Sequence, residues 1–261
     1  MKRRHLIIAG VLSFVLALLT HAPIATLYGW GVPGSPPPVV GMSALSGTLL
    51  SGQAGAVTLR GRPALTDLQW TMQPLSLLWG RASFRIESRD PQLLFDARVG
   101  SGLGGTRIRD LKLTGSLRAL LAAAGQPFVP VEGQVGLDLA LLKLASGWPS
   151  HVDGTLRLMN LSWTLARDPL SLGDFQAELT RDEDDLSALI TSLSGPLDLN
   201  GDARLRPDRS YELHLQLKPK PEAAPMVLNL VRSLGPADAQ GYHHIRRQGQ
   251  FPGGTAAATP P

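Results

Sequence analysis

The feature that most restricts what this chain can fold into is a two-residue alternation of apolar and polar side chains that returns along most of its length. It is clearest near the C-terminus, where Tyr211, Leu213, Leu215 and Leu217 alternate with Glu212, His214, Gln216 and Lys218. Successive side chains of an extended strand point to opposite faces, so this pattern buries one face and wets the other. A helix would scatter the same leucines around its circumference. Leu68, Trp70 and Met72 alternate with Asp67, Gln69 and Thr71; Leu93, Phe95, Ala97 and Val99 oppose Asp96 and Arg98. The pattern continues with Val131, Val135, Leu137 and Leu139 against Glu132, Gln134 and Asp138, and with Val152, Leu156 and Leu158 against Asp153 and Arg157. Phe175, Ala177 and Leu179 oppose Asp174, Gln176 and Glu178, and Leu197, Leu199, Ala203 and Leu205 oppose Asp198, Asn200, Asp202 and Arg204. The 28 Gly and 21 Pro are spread without a collagen-like period and punctuate these runs as turns would. The expectation is a mainly β chain with a largely antiparallel sheet.

A loose repeat places Gly ahead of an alternating run at Gly47, Gly115, Gly133, Gly154 and Gly201. Glycine inside a strand marks a bend, a bulge or a close backbone approach, which predicts a curved sheet, half-barrel or groove-like; glycine at ordinary hairpin turns accounts for some of the positions equally well. Four apolar stretches are too dense for alternation and are expected as short helices: 75–79, 117–124, 139–145 and 226–234. Pro74 before the first and Gly125 after the second are the expected start and stop signals.

The N-terminus carries a different signal. Lys2, Arg3 and Arg4 precede an apolar run over 6–19 that resumes after Thr20 and His21 and ends at Tyr28 and Trp30. Residues 6–30 exceed the roughly 20 needed to cross a bilayer. The best signal-peptidase site would place Pro23 directly after His21 and Ala22, a poor context for cleavage, so a transmembrane anchor is preferred to a cleaved signal. No Lys or Arg lies between Arg4 and Arg60. The positive-inside rule therefore puts residues 1–5 in the cytoplasm and the bulk of the chain outside. Residues 31–38, with Pro33, Pro36, Pro37 and Pro38, read as a stiff spacer, residues 39–251 as the folded β-rich domain, and 252–261 as a disordered tail.

Several chemistries are excluded or unsupported. With no Cys, thiolate nucleophiles, disulfides and thiolate metal sites do not exist. The formal net charge of +4 comes from arginines scattered among acids, without the basic-aromatic clusters of a nucleic-acid surface. Gly100-Ser101-Gly102-Leu103-Gly104-Gly105 formally matches a dinucleotide fingerprint, but the residues after it alternate as a strand and offer no helix N-terminus to a pyrophosphate. No pair of the six histidines has zinc-hydrolase spacing, and no nucleophile elbow is present. His243 and His244 are expected on an exposed terminal strand, and the charge run 181–185 as a solvated turn, without the Gly and distal Glu of a calcium loop. No catalytic, cofactor-binding or metal-binding residue is assigned, and the chain is not expected to be an enzyme.

Taken in order, the anchor, the spacer, the segment Trp70-Thr71-Met72-Gln73-Pro74-Leu75-Ser76-Leu77-Leu78-Trp79-Gly80 and the repeat unit Gly154-Thr155-Leu156-Arg157-Leu158 resemble the type II secretion system protein N family. So does the C-terminal run Tyr211-Glu212-Leu213-His214-Leu215-Gln216-Leu217-Lys218-Pro219, followed by the segment ending Leu234-Gly235, then Gly241-Tyr242 and a last strand. The resemblance implies an accessory inner-membrane component of the machine that exports folded periplasmic proteins across the outer membrane. It implies other secretion components and the inner membrane as partners, with no nucleic acid and no cofactor. A more distant similarity to AsmA-like proteins implies an alternative, a periplasmic lipid- or apolar-ligand-binding module whose concave face is lined by residues such as Trp70, Phe84, Phe95 and Leu137.

Overall fold

The computed structural model describes residues 24, 40–59, 61–74, 76, 81–102, 105–145, 147–165 and 168–251. The expected anchor and spacer, most of the 75–79 segment and the tail after 251 lie outside these residues. Among the described residues no helix is long and apolar enough to cross a membrane.

The alternating runs are strands: β1 (Val40–Gly47), β2 (Ser51–Leu59), β3 (Arg62–Met72), β4 (Ala82–Asp90), β5 (Leu93–Gly102), β6 (Gly105–Ser116), β7 (Val131–Ala145), β8 (Trp148–Trp163), β9 (Leu170–Asp182), β10 (Asp185–Ser194), β11 (Leu197–Leu205), β12 (Ser210–Pro219) and β13 (His243–Gln250). Two short helices accompany them among the described residues, α1 (Leu117–Ala123) and α2 (Pro225–Arg232). Strand order follows chain order from β1 to β5 and again from β6 to β13. Short connections make antiparallel pairing of neighbours the natural outcome.

The described residues form two compact units, one holding those up to Gly102 with Ala119–Phe128, the other Gly105–Arg118 with those from Val129 to Phe251. In the first, the register Met72↔Phe84, Trp70↔Ile86, Ile86↔Ala97 and Phe84↔Val99 gathers large apolar side chains on one face of β3–β5. Arg85 and Asp96 stand on the other face and pair at 2.5 Å. The Trp70 indole N–H donates to the Thr48 carbonyl at 3.2 Å, so its apolar body can be half-buried without an orphaned donor.

In the second unit, β11 and β12 pair from Leu205↔Tyr211 to Leu197↔Pro219, and β12 and β13 from Ser210↔Gln250 to Leu217↔His243. One face is therefore mostly apolar, led by Leu197, Leu199, Leu205, Leu213, Leu215, Leu217 and Ile245. Helix α2 covers one end of it. Pro225 supplies the pre-set φ of a first helical position, and Val227 and Val231, one turn apart, are each only 1% exposed against Leu170, Phe175, Leu197 and Leu217. The Ser233 backbone N–H closes the helix onto the Asn229 carbonyl.

Strict alternation slips by one residue at, among other places, four non-glycine positions with left-handed backbone. Ala44, Asp67, Asp110 and Asn160 are non-glycine residues with φ near +50°, and each sits in a consecutive exposed pair that returns the next apolar residue to the buried side. Asp and Asn tolerate this left-handed conformation better than most side chains. At Asn160 the distortion is tied down by Asp174, whose carboxylate accepts from the Asn160 N–H and from the Ser194 hydroxyl, both at 2.6 Å. Asp174 is held below the usual carboxylate range, first by the Ser194 hydroxyl and then by the Asn160 amide.

One sequence expectation is corrected. Residues 139–145 are not a helix but the end of β7, hydrogen-bonded to β6 on one side and β8 on the other. The run looks dense because a register shift between Leu139 and Leu141 interrupts the alternation, leaving Leu139 and Leu142 on the buried face. The stretches near 117–124 and 226–234 do carry α1 and α2.

The glycine repeat has one physical origin at two of its positions, Gly154 and Gly201. A Cβ on Gly154 would lie inside van der Waals contact of the Asp138 carbonyl oxygen and 2.7 Å from Leu139 Cα. One on Gly201 would overlap the His214 carbonyl oxygen and come within 2.6 Å of Leu215 Cδ2. Both are close backbone approaches between neighbouring strands, as expected for glycine within a strand.

Candidate functional site

The residues with chemical potential fall on three surfaces of the second unit. On the polar face of β6–β8 a depression of about 420 Å³ is lined by Lys112, Thr114, Asp138, Thr155 and Arg157, with Gly136 in its floor. It exists because the register puts Gly136 beside Thr114 and Arg157, so a side chain is missing from the middle of a polar row. Two cations, one acid and two threonine hydroxyls meet there.

At the β7–β8, β11–β12 and β13 ends, residues far apart in sequence converge. The Arg209 guanidinium lies 4.8 Å from the Trp148 ring centroid, and Phe251 sits 5.9 Å from Trp148 and 5.2 Å from Tyr211. Arg209 takes φ +70° in the tight β11–β12 turn, which aims its side chain over the indole.

The last surface is the outer edge of β13. The β12 residues with odd numbers pair toward β13, and the Phe251 N–H donates to the Arg209 carbonyl at 3.0 Å in the same phase. The backbone groups of the even-numbered residues therefore face away from the sheet. Toward the start of the strand this edge is covered: Ala237 bridges His243, and the Asp238 N–H donates to the Tyr242 carbonyl at 2.8 Å. Asp238 organises that cover. Its carboxylate takes the Gln240 and Tyr242 amides at 2.9 and 2.8 Å and the His244 ring at 2.7 Å. The His244 ring, followed by the Tyr242 amide, holds it below its ordinary value. Tyr242 in turn donates to Asp198 at 2.9 Å, which pushes its phenol up.

The histidines are structural in these settings. His243 is not exposed, as the sequence reading expected of the terminal strand, but buried, because the chain returning from α2 covers it and its Nδ1–H donates to the Gly235 carbonyl at 2.7 Å. His214 stands 3.6 Å from Asp202 on the polar face. Among the described residues no group of three or more potential ligands is placed to hold a metal ion. The charge run is the expected turn between β9 and β10, closed by Arg181 donating to the Glu183 carbonyl at 2.6 Å and pairing with Asp184 at 2.8 Å. After Gly105 the glycine-rich motif continues as strand β6, not a helix. Trp70, Phe84 and Phe95 share one half-buried face in the first unit, while Leu137 lies on the apolar face of the second. The convergence of Trp148, Arg209 and Phe251 has no local sequence signal.

A family model, "Type II secretion system (T2SS), protein N", matches residues 38–246. A type II secretion system protein N from Aeromonas hydrophila is 29% identical over 254 residues, covering 96% of this chain and 100% of the relative. No solved structure matches the chain. The family match takes in every strand from β1 to β12 and the α2 core, and on that ground the chain belongs to the type II secretion system protein N family.

Proposed function

We propose that this chain is an accessory component of the type II secretion pathway that sits in the inner membrane by its N-terminal apolar segment. On this reading its β-rich body lies in the periplasm and works there by protein–protein contact. It takes part in the export of folded periplasmic proteins across the outer membrane and performs no catalysis. The observation that carries the reading is the family match over residues 38–246. The basic tip, the apolar run and the absence of Lys and Arg between Arg4 and Arg60 support the membrane placement. A sheet whose terminal strand has an outward-facing backbone edge supports an interaction role, because edge pairing recognises a partner without signature residues. Site-specific crosslinking from the body in cells is expected to capture other secretion components. Capture of none, from a functional and fully expressed chain, would overturn the interaction role.

A second reading is favoured by one observation. In the second unit Trp148 reaches Phe251 although β9–β12 lie between β8 and β13 in the sheet order, which bends the apolar face inward. Leu156, Ala177, Leu179, Ile190, Leu213 and Leu215 on that face are only half-buried. A concave leucine-lined face of this kind suits acyl chains. Native mass spectrometry of the gently purified chain decides: retained phospholipid supports an apolar-ligand module, and its absence removes the reading.

A further inference from the structure

Among the described residues strand β13 ends the sheet, and over its second half no described backbone pairs with the outer edge. The N–H and C=O of Arg246 and Gln248 point away from β12, beyond the reach of the Asp238 loop that covers the edge at Tyr242 and His243. The charge along this edge is of one sign. Residues 243–250 contain no Asp or Glu, and Arg246 and Arg247 are both exposed. By register Arg246 stands on the polar face beside His214, and Arg247 on the apolar face beside Leu213. Elsewhere in this unit three arginines lie in ion pairs: Arg206 with Glu212, Arg118 with Glu132 and Arg181 with Asp184. Among the described residues neither Arg246 nor Arg247 has such a partner.

We propose that the open edge of β13 is a docking strand for an acidic, extended segment of another protein, which adds to the sheet as its next strand. The proposal rests on the interaction reading above and names the surface that would carry it. Backbone pairing at Arg246 and Gln248 supplies the hydrogen bonds. A pair of acids at the facing positions neutralises one guanidinium on each face of the sheet, and cross-strand opposite charges are favourable where like charges are not. The same rule argues against a second copy of β13 as the occupant, since antiparallel self-pairing about Arg246 and Arg247 would set like charges against each other. A charged edge is also how β-proteins block indiscriminate pairing, and that blocking role alone would give no preference for acidic strands.

The test uses the full chain in detergent and fluorescent ten-residue peptides of alternating Thr and Val, carrying either two adjacent Glu or two adjacent Lys at their centre. The Glu peptide is expected to bind, more weakly as salt rises, and the Lys peptide to bind at least about tenfold more weakly. Arg246→Glu with Arg247→Glu is expected to invert that preference. Gln248→Pro, which removes an N–H that pairs with no described residue of the chain, is expected to abolish binding with the circular dichroism unchanged. Equal binding of both peptides, no binding, an unaltered preference after charge reversal, or self-association through this edge would each overturn the proposal. If crosslinking to secretion components persists in the charge-reversed chain, the edge proposal alone fails. If the wild-type chain captures none, the interaction reading fails with it.

Discussion

Substitution of Val227 by Ala tests whether α2 is held as described. Val227 is 1% exposed and packs in the cluster formed by Leu170, Phe175, Leu197 and Leu217. The change removes two methyl groups, about 1.6 kcal/mol of transfer free energy at about 0.8 per carbon, and leaves a cavity whose walls relax only in part. The expected cost of docking α2 is then about 2 kcal/mol. An eight-residue helix does not persist once undocked, so its amides open together. A loss of about 2 kcal/mol corresponds to roughly thirtyfold faster hydrogen exchange across α2, measured by mass spectrometry on the full chain. Met226, the neighbouring residue, is 53% exposed and provides the control. Met226→Ala is expected to change stability by less than about 0.5 kcal/mol. Unchanged exchange in Val227→Ala, or equal acceleration in both variants, would refute the packing argument.

Gly201→Ala should destabilise the β11–β12 pair by about 1–3 kcal/mol, because the added Cβ overlaps the His214 carbonyl and the strand must yield; a denaturant midpoint equal to wild type would contradict this. Asp174 has a depressed native pKa, so its contribution is present above the unfolded value near 3.9 and is lost as pH falls through the native value. Asp174→Asn should therefore be slightly less stable than wild type at pH 7, by below about 1 kcal/mol for so open a carboxylate, with the gap closing below about pH 4. A gap that is constant with pH would show that the carboxylate's charge is irrelevant. Alkaline phosphatase fused after Pro38 should be active and the same enzyme fused at the N-terminus inactive; the reverse would overturn the proposed orientation.

Much of the fold was legible in the sequence, because a period of two has one structural meaning. The faces read at 93–99, 175–179, 197–205 and 211–218 are the faces observed. What failed did so where geometry overrides the period. The slips at Ala44, Asp67, Asp110 and Asn160 depend on left-handed backbone at non-glycine residues, which composition does not announce. One register shift in β7 made 139–145 resemble a helix. His243 was placed on the terminal strand but not in the core, since its cover is a loop folded back by Asp238. The two features that matter most for binding are non-local. The contact of Trp148 with Phe251 spans much of the second unit, and the outer edge of β13 is open because no strand follows it among the described residues.

The most direct measurement of the central claim is the secretion phenotype of a strain lacking this chain. Exported proteins are expected to fall in the medium and accumulate in the periplasm, with recovery when the full chain is supplied. Unchanged export in the deletion strain, with the loss of the chain verified, would contradict a role in secretion.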